Sequence, residues 1–214
     1  MRVLVTGARG FIGRNLTEAL RDEFEITAPG RDELDLTDEG RVFEFLRHGD
    51  FDAVIHAATH NAARNSTKDV SRVLDVNLRM FFNLVRHEDL YGRLIYFGSG
   101  AEYDRNVMPA LVEEEFLGRS IPIDDYGLSK YICASVLGKA SRIYELVLFG
   151  CFGPYEDWEI RFISNACAKA LFDLPVTIKQ NVSFDYMHVQ DLVRVVKEFL
   201  LRDNIPERRF NVCT

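Results

Sequence analysis

Cysteine is scarce: Cys133, Cys151, Cys167 and Cys213 are the only four in 214 residues, none forms a CxxC pair, and most lie in apolar segments. That spacing provides no cysteine-held metal site and argues against a disulfide framework, so the thiols read as reduced packing residues. Positive charge is also in deficit, with 26 Lys and Arg against 33 Asp and Glu and a net charge of −7. The basic residues are scattered, which excludes a nucleic-acid or anionic-membrane surface and leaves positive charge a local role. No apolar run approaches the roughly 20 residues of a membrane span, and no basic-then-apolar leader precedes the first strand, so a cytoplasmic protein without membrane contact is expected. Internal repeats, low-complexity tracts and flexible linkers are absent as well. The parts of the chain are therefore expected to pack together.

The chain does carry 47% hydrophobic residues, enough for a full core at this length, and three well-placed glycines. VTGARGFIG at 5–13 sets Gly7, Gly10 and Gly13 directly after the apolar run RVLV. Gly7 permits a tight strand-to-helix turn, Gly10 lets backbone approach a pyrophosphate, and Gly13 allows close packing of the helix on the strand. The helix that follows, entered through Phe11 and Ile12, aims its free N–H groups and positive dipole end at the phosphates. A dinucleotide is the expected ligand of this turn.

Strand-like runs recur at 2–5, 24–27, 51–58, 93–98 and 144–150, separated by amphipathic helical stretches near 11–22, 38–47, 67–87 and 126–142. This alternation predicts βαβ units with right-handed crossovers: an α/β fold with a doubly wound parallel sheet of Rossmann type over 1–150. Beyond 150 the rhythm changes to a helix near 159–172, short strands near 176–179 and 184–188, a helix near 189–202 and a last strand at RFNV. Residues 151–214 are thus expected to form a small substrate lobe over the sheet's carboxyl edge.

YGLSK at 126–130 places Tyr126 and Lys130 on one helix face, a phenol beside an ammonium. Bringing a phenol from its ordinary value near 10 toward neutrality takes roughly three units, about 4 kcal/mol. Lys130, the oxidised nicotinamide's charge and the dipole of a helix starting near Asp124 and Asp125 together supply this. Ser99, in GSGAEY after the fourth strand, stands where a hydroxyl hydrogen-bonds a reacting oxygen. After the second strand no acidic residue is available for an adenosine 2′-hydroxyl; Arg31 stands there, and Arg9 lies in the glycine loop. Two guanidiniums suit a 2′-phosphate, so NADP(H) is expected over NAD(H), the alternative cofactor. His56, His60, His87 and His188 read as ordinary strand or helix residues, with His60, beside the cofactor strand, the best candidate for a substrate contact.

GxxGxxG, the serine after strand four and YxxxK together resemble the extended short-chain dehydrogenase/reductases, and within them the nucleotide-sugar epimerases, dehydratases and reductases. FGCFGP at 149–154 and FDYMHVQDLV at 184–193 are similar to family segments after the fifth strand and in the substrate lobe. The resemblance implies Ser99, Tyr126 and Lys130 as catalytic triad, with Tyr126 exchanging the proton, Ser99 orienting the sugar oxygen and Lys130 tuning Tyr126 and holding the nicotinamide ribose. RDELDL with an arginine in the glycine loop resembles the GDP-fucose synthase branch. By that likeness Asp35 and Leu36 face the adenine, and Ala57, Ala58 and Thr59 pass beneath the cofactor.

Departures from the family pattern narrow the reaction. Ala101 stands where that branch has its epimerisation cysteine and Arg161 near its histidine, while Gly100 and Ala101 replace the acidic pair of the 4,6-dehydratases. None of these can do the corresponding proton transfer. What remains is reduction of a 4-keto group on a nucleotide-diphosphate sugar of polysaccharide synthesis, with an NAD-dependent 4-epimerase or a non-catalytic dinucleotide sensor as alternatives. Phe184 replaces a diphosphate-binding arginine, for which Lys179 is the expected compensation, and Asn165 is a second candidate substrate contact. The stop at Thr214 leads to the expectation of a truncated or minimal lobe. Helices 67–87 and 126–142 are expected to pair with their symmetry mates in a homodimer.

Overall fold

The computed structural model describes residues 1–60, 68–137, 142–178 and 181–213. Four largely buried runs form β1 (Arg2–Thr6), β3 (Phe51–His56), β4 (Tyr91–Ser99) and β5 (Ile143–Leu148), and a short, partly exposed one forms β2 (Glu25–Thr27). With β8 (Arg209–Val212) they make a six-stranded sheet in the order β2-β1-β3-β4-β5-β8, every pairing parallel. A two-residue pair, β6 (Cys151–Phe152) with β7 (Met187–His188), stands apart. The last strand, expected in the lobe, pairs with β5 and so completes the main sheet.

Both faces of the sheet are covered, which explains why its strands read as continuous hydrophobic runs. Because side chains alternate along a strand, Leu4, Val54 and Leu94 point to one face and Val3, Val5, Ala53, Ile55 and Ile95 to the other. The first group meets α2 (Glu39–Gly49) and α3 (Val73–Val85) through Val42, Leu46, Val76, Phe81 and Leu84, and α4 (Asp125–Leu137) through Cys133 and Leu137. The second meets α1 (Phe11–Leu20) and α6 (Val189–Leu201), whose Leu16, Leu20, Leu192, Val196 and Leu200 recur at the four-residue spacing of one helix face. Burying each of these side chains contributes about 1.5–3 kcal/mol.

Local chemistry sets the helix ends. Asp38 caps α2 by accepting the Arg41 N–H at 3.1 Å, and Asp50 closes it in the left-handed region at φ 47°. Asp124 accepts the Gly127 N–H at 2.8 Å and so starts α4.

Beyond β6, among the described residues, only α5 (Phe162–Leu171) and β7 are regular before α6. The strand expected near 176–179 is not formed over its described residues: the apolar alternation is present, but no neighbouring strand pairs with it. The segment 151–156 is held against α1 instead. Asn15 donates to the Pro154 carbonyl at 2.9 Å, the Arg14 guanidinium lies 3.7 Å from the centre of the Tyr155 ring, and the Tyr155 hydroxyl donates to Glu18 at 3.0 Å.

Candidate active site

The carboxyl ends of β1, β3, β4 and β5 open into a cleft of about 1130 Å³, at the edge where an open α/β sheet receives its ligands. It gathers Gly7, Arg9, Gly10, Phe11 and Ile12 from the first turn, Arg31, Asp35 and Leu36 from beyond β2, and Ala57, Ala58, Thr59 and His60 from beyond β3. Ser99, Tyr126 and Lys130 reach the same space. Gly13 and Asn165 do not line it, and Lys179 lies outside the described residues. The Asn165 amide is turned back onto the Trp158 and Glu159 carbonyls at 3.1 and 3.5 Å. His60 points its ring Nε2 at the Asp69 carbonyl, 2.9 Å away.

The three glycines differ in their surroundings. Gly7 has φ 71°, and a Cβ there would lie 2.5 Å from the Ala58 nitrogen. A Cβ on Gly13 would lie 2.3 Å from the Gly7 carbonyl oxygen, so that glycine packs the helix onto the turn. At Gly10 the nearest atom to such a carbon is the Gly7 oxygen at 3.3 Å, and its remaining side is open. Gly10 caps α1 without a side-chain hydrogen bond, leaving the leading amides available to an anion.

Arg9 and Arg31 stand at one mouth of this cradle. Arg9 lies against Gly30 and 3.7 Å from Asp32, and Arg31 is 3.4 Å from Asp35; both side chains are about three-quarters exposed. Exposed pairs of this kind are worth about 1 kcal/mol or less, so either guanidinium changes partner at little cost. Partial burial pushes the Asp35 carboxyl up, but donation from Thr37 and Arg31 outweighs it and holds the group below its ordinary value.

Tyr126 and Lys130 lie one turn apart on α4. Lys130 is buried; its Nζ donates to the Phe97 carbonyl on β4 at 2.7 Å and sits 4.5 Å from the centre of the Tyr96 ring and 5.9 Å from that of Tyr126. An ammonium fixed from below is thereby held beside the phenol. Ser99 ends β4 and caps the turn at 100–103, its Oγ accepting the Ala101 N–H at 3.3 Å, which leaves the hydroxyl proton to donate.

Further groups line or back the cleft, among them His56, which the sequence reads as an ordinary strand residue, and Arg161, which it places near a family histidine. His56, at the end of β3, is buried with Nδ1 2.8 Å from the Thr6 hydroxyl; burial first, then the Lys130 charge, pushes its pKa down to about 3, so the ring is neutral. Behind Ser99 lie the buried carboxyls of Glu102 and Glu145 with Arg209. Glu145, a charge inside the apolar strand YELVLFG, was the visible signal. Glu156, Arg161 and Tyr186 line the opposite wall. Glu156 accepts a hydrogen bond from the Ser164 hydroxyl, and burial pushes its carboxyl up. Ala101 is buried and carries no proton to transfer. Among the described residues no group of three or more His, Cys, Asp or Glu is arranged to hold a metal, and no helix is long and apolar enough to cross a membrane.

The family model that matches this chain is described as "NAD dependent epimerase/dehydratase family" and covers residues 3–213. GDP-L-colitose synthase of Yersinia pseudotuberculosis is 27% identical over 152 residues, 66% of this chain and 48% of that protein. GDP-6-deoxy-D-mannose reductase of Pseudomonas aeruginosa is 26% identical over 100% of this chain and 74% of that protein. The chain spans about half or less of the length of several such relatives. The structure of a GDP-mannoheptose C4 reductase from Campylobacter jejuni with NADP bound superimposes with a TM-score of 0.82 at 17% identity, over 100% of this chain and 80% of that one. That likeness is one of fold.

Proposed function

The chain belongs to the NAD dependent epimerase/dehydratase family, and from that membership we propose that it is an NADP(H)-dependent reductase of nucleotide-diphosphate 4-keto sugars. The observation that carries this reading is the convergence of Tyr126, buried Lys130 and Ser99 on the cleft that the glycine cradle also enters. Curated relatives that include a GDP-6-deoxy-mannose reductase support it.

The residues present fit a dinucleotide. A pyrophosphate finds the open side of Gly10 and the uncapped amides of α1, and a 2′-phosphate finds Arg9 and Arg31. Asp35 and Leu36 would then flank the adenine, with Ala57, Ala58 and Thr59 forming the floor. When bound, the reduced nicotinamide supplies hydride to the sugar carbonyl carbon. Ser99 donates a hydrogen bond through its hydroxyl to the carbonyl oxygen and orients it, keeping its own proton. Tyr126 delivers a proton to that oxygen as negative charge develops on it. Lys130, held by the Phe97 carbonyl, keeps a positive charge beside the resulting phenolate and lowers the cost of forming it. On the far wall Arg161 is available to the substrate diphosphate, where the usual arginine is Phe184.

A homodimer completes the proposal. Leu74, Leu78, Phe82 and Val85 on α3 and Leu128, Ile132 and Val136 on α4 are half-buried and recur on one side of each helix, and the two helices pack together. Such paired stripes suit a self-complementary face. Sedimentation showing a monomer at all concentrations refutes this part.

The test of the activity is loss of NADPH absorbance on addition of a nucleotide-diphosphate 4-keto sugar. Tyr126→Phe is expected to lower kcat by about 10²–10⁴-fold, the usual worth of general acid catalysis, with NADPH affinity kept. Undiminished turnover by that variant refutes the assignment.

A further inference from the structure

Behind the candidate serine, Glu102 on the turn at 100–103 and Glu145 on β5 are both fully buried. A Cβ on Gly98 would lie 2.7 Å from Glu145 Oε1 and 2.9 Å from Glu102 Oε2, so both carboxyls crowd the same point and only glycine leaves them room. Arg209 on β8 donates Nε to Glu145 at 2.7 Å and Nη2 to the Ala134 carbonyl at 3.0 Å, while Glu102 Oε1 is 3.9 Å from the same Nε. Glu102 Oε2 accepts the Ser99 N–H at 3.1 Å. The remaining oxygens, Glu102 Oε1 and Glu145 Oε1, are buried and take no hydrogen bond from the described residues.

Two ionised carboxylates this close in a dry interior repel each other, and each would keep a bare oxygen. One proton held between them removes a charge and supplies the missing hydrogen bond. We propose that Glu102 carries that proton toward an ionised Glu145, and that Glu102 in this state is the positioning residue that holds the Ser99 backbone at the cleft. Glu145 is the ionised member because it directly holds Arg209. The proton comes from solvent during folding, and no bond other than O–H is made.

The groups facing the pair are Lys130 and Cys133 from α4, Tyr96 from β4, Tyr103 from the turn at 100–103 and Arg209 from β8. Burial, then the neighbouring Glu145 charge, pushes Glu102 well above the carboxylate range, in the direction the geometry requires.

The proton and the hold on Ser99 are independent of the proposed reaction; only their effect on turnover rests on that reading. Infrared spectroscopy of the purified protein is expected to show the carbonyl stretch of a buried carboxylic acid at neutral pH, lost in Glu102→Gln and kept in Tyr126→Phe. Ser99 amide exchange, read by NMR, is expected to stay slow in Glu102→Gln, whose amide oxygen still accepts the N–H, and to speed about tenfold in Glu102→Ala. With turnover established, kcat follows the same order, while KM for NADPH is unchanged. Absence of the acid band, its survival in Glu102→Gln, or equal Ser99 exchange in all three proteins overturns the proposal. Absence of turnover with the band and the exchange pattern present overturns only the reductase reading.

Discussion

Alanine at Gly7 puts a methyl group into the turn on which the cradle depends. The residue sits at φ 71°, where an L side chain costs about 1–2 kcal/mol. The new carbon would lie 2.5 Å from Ala58 N, 2.6 Å from Ala58 Cα and 2.7 Å from Ala57 C. All three are backbone atoms just beyond β3, which pairs with β1, so none can rotate away, and forced overpacking costs a further 1–3 kcal/mol or so. The sum is roughly 2–5 kcal/mol, and for a chain of this size each kcal/mol moves Tm by about 2–4 °C. Thermal unfolding of Gly7→Ala should therefore show a midpoint lower by about 4–20 °C, and urea unfolding an unchanged m-value. Gly10→Ala is the matched control. It has no positive φ, and its closest contact is 3.3 Å, so its stability loss should stay near 1 kcal/mol or below while NADPH affinity falls at least tenfold, because the methyl group enters the cradle. Gly7→Ala melting within a degree of wild type refutes the steric argument; Gly10→Ala binding NADPH normally refutes the cradle.

The proposed preference for NADP(H) predicts that Arg9→Ala with Arg31→Ala weakens NADPH binding by about 10–100-fold, the worth of one or two charge-assisted bonds, and leaves NADH binding nearly unchanged; calorimetric titration with both nucleotides measures it. Equal losses for the two nucleotides would sink the 2′-phosphate assignment. His56 predicts an acid-side loss of stability. Its folded pKa of about 3 lies below the ordinary 6.5, so as pH falls the unfolded chain takes up the proton first. Its contribution is complete above about pH 6.5 and falls by up to about 1.4 kcal/mol per pH unit toward pH 3. Urea unfolding of wild type and His56→Asn between pH 7 and 5 should show a stability difference that shrinks with acidification; a constant difference contradicts a neutral buried ring.

What was legible in the sequence is what short-range spacing encodes. The strand, the glycine turn and α1 lie within the first 20 residues, where each glycine's conformational freedom acts on its immediate neighbours, and Tyr126 and Lys130 need only a helical turn to share a face. The run at 176–179 misled because alternation states a preference while a strand requires a partner, and none is paired there among the described residues. RFNV was recognised as a strand but assigned to the lobe, since nothing local tells a strand which neighbour it will join.

The sequence by itself determined the βαβ rhythm, the glycine turn after the first strand and the placing of Tyr126 and Lys130 one turn apart on α4, because these depend on residues a few positions apart. Only the tertiary structure decided that Ser99, Arg9 and Arg31 share one cleft with that pair, and that β8 returns to the main sheet. It alone brings Glu102, Glu145 and Arg209 together: Arg209 meets Glu145 across 64 residues of chain. Parallel β pairing does this, aligning carboxyl ends from distant segments at one edge and carrying charges, harmless in the unfolded chain, into an interior where they must find one another.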